Sequence, residues 1–188
     1  MSVEIKEVKS KKELKQFVKF NIELYKDCPY HVPGIIEEEM VTLSRDKNPA
    51  FDFCETVYYL ALRDGKIVGR IAGIINNKSN EIWNQKHARF GFVDFIDDAE
   101  VADALFAAVE NWAKSKGMNA LHGPMGFTDM DQEGMLIEGF DQLATIATIY
   151  NFPYYPTHLD RLGYVKDQDW HEFKIYIPEK NPEKHERI

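Results

Sequence analysis

Apolar residues recur along the first half of the chain at two periods, and the change of period marks where helices give way to strands. Val3, Ile5 and Val8 read as a short strand, and Leu14, Phe17, Val18, Ile22 and Tyr25 then fall on one face of a helix. A second helix is expected after Pro33, with Ile36, Met40 and Leu43 inward, because proline suits a first helical turn. From Val57 the period becomes two. Residues 57–63 and 67–76 are β-rich runs separated by Asp64-Gly65-Lys66, a short-loop hairpin signal.

After a polar connection over residues 76–86, the run FGFVDFIDDAEVADALF reads as a strand feeding a helix. Val101, Leu105, Ala108, Val109 and Trp112 supply its inward face, up to Gly117. Asp97 is expected to cap this helix while Glu100, three residues on, reaches back, with Asp in the Ser/Thr role of a capping box. Ala120-Leu121-His122 is the next strand, giving the order βα(α)βββαβ. Residues 125–144 are expected to form a long, partly helical excursion. Beyond them a short helix ends at Gly163, followed by a strand from near Tyr164 and a final strand over Phe173 to Ile177. One domain is expected over residues 1–178, with 179–188 as a polar tail or the start of a linker.

Composition narrows the function. A net charge of −8 argues against a general nucleic-acid or anionic-membrane surface, since counterion release needs clustered Lys and Arg. No segment approaches a membrane span and the N-terminus lacks a secretory apolar stretch, so no membrane partner and a cytoplasmic location are expected. Cys28 and Cys54 make no disulfide framework, and Cys28 lacks the basic or helix-start context of an activated thiol. His87, His122, His158 and His171 show no metal spacing. Asp129-x-Asp131-x-Glu133-Gly134 begins like a calcium loop but places Phe140 where the bidentate Glu belongs, which favours a solvated acidic loop. The aromatics Phe127, Phe140, Phe152, Tyr154 and Tyr155 either frame an acceptor pocket or fill the core beneath the excursion.

The element order, the DGKIVGRIAG hairpin, the strand before Asp97, the helix ending in AKSKGM and the late HLDRLGYV together resemble the GNAT superfamily of acyl-CoA-dependent N-acyltransferases. The resemblance implies an α/β (α+β) fold with a central mixed, mostly antiparallel sheet flanked by helices. It also implies acetyl-CoA or another acyl-CoA as co-substrate and a small-molecule amine as acceptor. The pantetheine arm would lie where the fourth and fifth strands splay, with the pyrophosphate on the loop and helix start that follow. Registering the helix on Ala104-Leu105-Phe106 sets Asp97 to Ala102 on the family's R/Q-x-x-G-x-G/A motif, and only Ala102 fits. Asp97 stands for the Arg/Gln and Glu100 for the first glycine, so the loop offers repulsion where the family cradles an anion.

The resemblance further implies cofactor contacts at Phe92, Val93, Asp94 and Ala102, with a backbone N–H around 92–94 polarising the thioester carbonyl. The family's general acid, usually Tyr, stands four residues before a Gly-Phe pair; here Gly163-Tyr164 matches the pair and Leu159 occupies the acid's place. Tyr155 and His158 are the candidate substitutes as catalytic groups, and Asp94 and Glu133 the candidate bases. LYKDCPYHVPG, GRIAGIINNKSNE, GPMGFTDMDQEGMLIEGFD and NFPYYPTHLDRLGYVKD resemble the N-terminal half of longer bacterial GNAT-like proteins. Two readings follow: an acyltransferase-like domain with a degenerate coenzyme loop, or a non-catalytic GNAT-fold binding or structural domain.

Overall fold

The computed structural model describes residues 2–145 and 148–176, and the hairpin at Asp64-Gly65 is its spine. Both turn residues take positive φ, 54° and 75°, the geometry a two-residue turn needs to follow the strand twist. The elements run β1 (Glu4–Glu7), α1 (Lys11–Leu24), α2 (Ile36–Thr42), β2 (Cys54–Arg63), β3 (Lys66–Asn76), α3 (Asn77–Ile82), β4 (His87–Phe95), α4 (Ala99–Ser115), β5 (Ala120–His122) and α5 (Tyr154–Arg161). They build one sheet in the order β1-β2-β3-β4-β5. The first four strands are antiparallel neighbours and β5 runs parallel to β4.

Alternation along the strands divides the core into two layers. Leu60, Ala72 and Ile74 meet Leu14, Phe17 and Val18 of α1 on one face. Ala61, Ile71 and Phe90 meet Val101, Leu105, Phe106 and Val109 of α4, with Tyr155 of α5, on the other. Ser10 opens α1 with the reciprocal capping box that Ser-x-x-Glu permits, its side chain accepting from Glu13 N–H while Glu13 bonds back to the Ser10 N–H.

Four expectations change. The polar connection after Asn76 contains α3, capped by the Asn76 side chain. Residues 125–144 carry no helix; side-chain anchors hold the excursion instead, including Asn151, which bonds both the N–H and the C=O of Leu136. Neither a strand at Tyr164 nor one over 173–176 forms, and Ile177 lies outside the described residues, as does the 179–188 tail. β5 is the reason: its ladder with β4 spans three pairs, so little regular edge is offered for another strand to extend. Val165, Phe173, Ile175 and Tyr176 stay exposed. Among the described residues, no helix is long and apolar enough to cross a membrane.

Candidate functional site

β4 and β5 pair from His87↔Ala120 to Arg89↔His122 and then part. One further backbone bond bridges the opening, Met125 N–H to Phe90 O at 2.8 Å. Gly91 admits this crossing, because a Cβ there would stand 2.2 Å from the Met125 carbonyl oxygen. Beyond it β4 bulges: Arg70 faces Asp94 and Ala72 faces Gly91, so Ile71 alone answers Phe92 and Val93, and Phe92 takes φ 45°. The candidate residues Phe92 and Val93 turn their side chains into the two core layers.

Asp94 belongs to a buried polar network that sequence patterning did not disclose. It is 5% exposed, and its Oδ2 accepts from Arg70 Nε at 2.7 Å and Asn21 Nδ2 at 3.1 Å. Arg70 also donates to Glu39 at 2.5 Å and to Phe17 O at 3.1 Å, and it stacks over the Phe17 ring. Burial opposes the Arg70 charge, yet Glu39 and Asp94 outweigh it and hold the guanidinium above its ordinary range. The Arg70 and Asn21 bonds both fall on Oδ2 of Asp94, so the carboxylate is held in place by these partners while Oδ1 meets only a long contact to Tyr155 among the described residues. Glu133, the other candidate base, makes none of these contacts among the described residues.

The start of α4 also differs from expectation. Asp98, not Asp97, is the N-cap, accepting from Val101 N–H at 3.2 Å. Arg63 at the end of β2 grips it through two bonds, 2.6 and 3.0 Å, and reaches Glu100 at 3.0 Å. Glu100 does not reach back to the cap; it accepts from Val3 N–H at 3.0 Å. Asp97 bonds His158 Nε2 at 2.9 Å. The carboxylates are therefore partnered rather than bare, Asp98 and Glu100 by Arg63 and Asp97 by His158. Ala102, the one residue that fitted the family motif, is fully buried and its N–H is spent inside the helix on Asp98 O.

The Arg63 bond holds the Asp98 carboxyl down at about 2, below the usual ~4 of an unfolded aspartate. A lowered folded-state pKa contributes stability that is complete above pH ~4 and is lost as pH falls through the folded value. The stability gap between the native chain and Asp98→Asn, measured by urea unfolding, is accordingly expected to be constant from pH 7 to about 5 and to narrow towards pH 2. A gap independent of pH over that range would show that Asp98 acts through its cap geometry alone.

Both substitute catalytic candidates stand on α5 against this junction. His158 is 8% exposed; since the Asp97 carboxylate can only accept, His158 Nε2 carries the proton, and its buried Nδ1 has no partner among the described residues. Tyr155 is 1% exposed, and its hydroxyl accepts from Phe95 N–H at 3.1 Å and Tyr25 O–H at 2.9 Å while facing Asp94 Oδ1 at a long 3.4 Å. Burial, then the Asp94 charge, pushes its pKa well above the tyrosine range. The hydroxyl's hydrogen-bonding positions are thus all turned to internal groups. Tyr154 donates to Phe95 O at 2.5 Å, and Leu159 packs into the α4-side core.

The remaining motifs have local explanations. Asp131 accepts from Thr128 N–H at 2.9 Å within its own loop, and no cluster of metal-ligating side chains occurs among the described residues. Cys54 is buried, which raises its thiol pKa to about 11. Around Tyr25 the aromatics gather: His31 stacks on it at 4.5 Å, Phe152 lies at 4.7 Å and Tyr150 meets it edge-on at 5.9 Å. Burial lowers the His31 pKa, against the pull of Asp94. Tyr154, Tyr155 and Phe152 thus fill core beside the splay, whereas Phe127 packs on the opposite face.

No protein-family profile matches the chain. It is 37% identical over 160 residues to Protein YghO of Escherichia coli, covering 85% of this chain and 41% of that protein. It is 29% identical over 168 residues to a bacterial ceramide synthase of Caulobacter vibrioides, covering 89% of this chain and 44% of that protein. The chain therefore spans about two fifths of the length of the curated relatives it matches. Among solved structures, a predicted acetyltransferase from Clostridium acetobutylicum with acetyl-CoA superposes with a TM-score of 0.55 over 92% of this chain and 96% of that one, at 11% identity. Strand order, the bulge in β4, the parting of β4 from β5 and this superposition agree: the chain has the GNAT acetyltransferase fold.

Proposed function

We propose that residues 1–178 form one N-acyltransferase-like domain of the acyl-CoA-to-amine type whose coenzyme end is degenerate. The observation that carries this reading is the start of α4, where Asp97 and Asp98 pair with His158 and Arg63 and the helix N-terminus offers no free anion cradle. In such a transfer the acceptor nitrogen bonds to the thioester carbon, the C–S bond breaks, and a proton passes from nitrogen to the departing thiolate. The β4 bulge supplies a backbone N–H for the carbonyl. Of the candidate side chains, His158 is best suited to exchange a proton, because its Nδ1 has no hydrogen-bond partner among the described residues. The similarity to a bacterial ceramide synthase supports a long-chain amino alcohol as acceptor, since ceramide formation acylates the amine of such a molecule.

A non-catalytic binding role is the second reading, favoured by Leu159 in the acid's place and by the saturated Tyr155 hydroxyl. Calorimetric titration with acetyl-CoA and longer acyl-CoAs at low salt tests the first. Dissociation constants of roughly 1 mM or weaker are expected, about −4 kcal/mol of binding. Micromolar binding by the native chain would overturn the degenerate coenzyme end.

A further inference from the structure

The outer edge of β4 is closed by side chains from α5. Ile96 N–H bonds Val68 O on the β3 side, so by strand alternation the backbone groups of Phe95 face the other way, into the opening left by β5. Both are taken by consecutive tyrosines: Phe95 N–H donates to Tyr155 Oη at 3.1 Å, and Phe95 O accepts from Tyr154 O–H at 2.5 Å. Two hydroxyls thus make the bonds that a neighbouring strand would make. At the other end of the opening Phe90 O is taken by Met125 N–H. Between these closures only residues 91–94 remain.

We propose that α5 is a latch on this opening, and that the Tyr154 and Tyr155 hydroxyls compete with the amides of an acyl-pantetheine arm for the Phe95 backbone. The inference rests on the acyl-CoA reading above and adds to it that the path is shut by this chain's own side chains. Four side chains anchor the latch along α5: Tyr154 and Tyr155 on Phe95, His158 on Asp97, and Arg161 on Ala99 O and Asp103. All four partners lie at the end of β4 or the start of α4, so lifting α5 breaks contacts along that whole junction. The grip is strongest at Tyr155, which Tyr25 also holds from α1. Tyr154 is partly exposed and held by one bond, so it is the point from which release starts.

The test uses the full chain and three variants: Tyr154→Phe, Tyr154→Phe with Tyr155→Phe, and the α4-loop change Glu100→Gly, which leaves the Asp97–His158 anchor in place. Amide hydrogen exchange at Phe95 is read first. It is expected to quicken at least tenfold in the double tyrosine variant, because Tyr155 is the acceptor for that N–H among the described residues. Affinity for a long-chain acyl-CoA is then expected to rise at least fivefold in the double variant and by a smaller factor in Tyr154→Phe, which keeps the buried Tyr155 and guards against loss of folding. Unchanged Phe95 exchange, or freed Phe95 exchange with unchanged or weaker acyl-CoA binding, overturns the latch. Acyl-CoA binding only in the α4-loop variant overturns the latch while leaving the acyl-CoA reading standing. Binding in none of the four proteins overturns both.

Discussion

Replacing Arg70 by methionine is expected to lower the free energy of unfolding by about 3–5 kcal/mol, the cost of breaking a buried ion pair from one side. The guanidinium is 3% exposed and satisfies Asp94, Glu39 and the Phe17 carbonyl together. Without it Asp94 keeps only Asn21 and the long contact to Tyr155, and a carboxylate buried with so little support is expensive. Arg70→Lys should recover only part of the loss, because an ammonium is a point donor and cannot span the positions that a planar fork reaches. Adding Asp94→Leu to Arg70→Met should recover more, since it removes the stranded charge itself. Urea unfolding of the four proteins measures these differences. A loss below about 1 kcal/mol in Arg70→Met would mean that the network is not buried as described.

The second large effect concerns turnover. With simple amines, amino alcohols and acetyl-CoA, the native chain is expected to release CoA thiol at least about a thousandfold more slowly than the 1–10 s⁻¹ of an ordinary enzyme. On the proposed reading three features combine: paired carboxylates at the start of α4, a leucine where the resemblance places the acid, and a Tyr155 hydroxyl whose neighbours are all internal. Weak coenzyme binding and the absent acid act on different steps, so their costs multiply. Asp97→Arg with Leu159→Tyr addresses one of each and should raise thiol release at least tenfold, about 1.4 kcal/mol of barrier. Native turnover near 1 s⁻¹ would instead sink the degenerate reading. His158→Ala and Tyr155→Phe would then separate the two candidates, with loss confined to His158→Ala naming the histidine as the proton carrier.

Much of the scaffold was legible because the signals were local. The Asp-Gly turn fixed the hairpin, and α1 and α4 declared themselves by three- and four-residue spacing. What failed depended on distant partners. Asp97 and Asp98 are adjacent and chemically alike, so spacing alone could not choose the cap; Arg63 and His158, far away in sequence, settle which carboxylate does what. The late strands were read from Val, Phe, Ile and Tyr content, but strand propensity expresses itself only against a pairing edge. The polar network left one available sign, Arg70 in the apolar run KIVGRIAGII of β3: a charge in the interior of a central strand has to find partners or stay out of the core. The aromatic filling around Tyr25 gave no comparable sign.

The brevity of β5 also limits the strand edge that this molecule offers to a second chain. An open strand edge is a template on which a second chain can grow a ladder, and exposed apolar residues at 165, 173, 175 and 176 would feed such growth. β5 offers just Ala120 to His122 before Gly123 and Pro124, and the proline has no N–H to give. His122 also meets Asp167 at 3.0 Å, so a polar side-chain contact covers the last residue of that edge. Lengthening β5 by replacing Pro124 with a β-branched residue would thus trade a self-limiting edge for an aggregation-prone one.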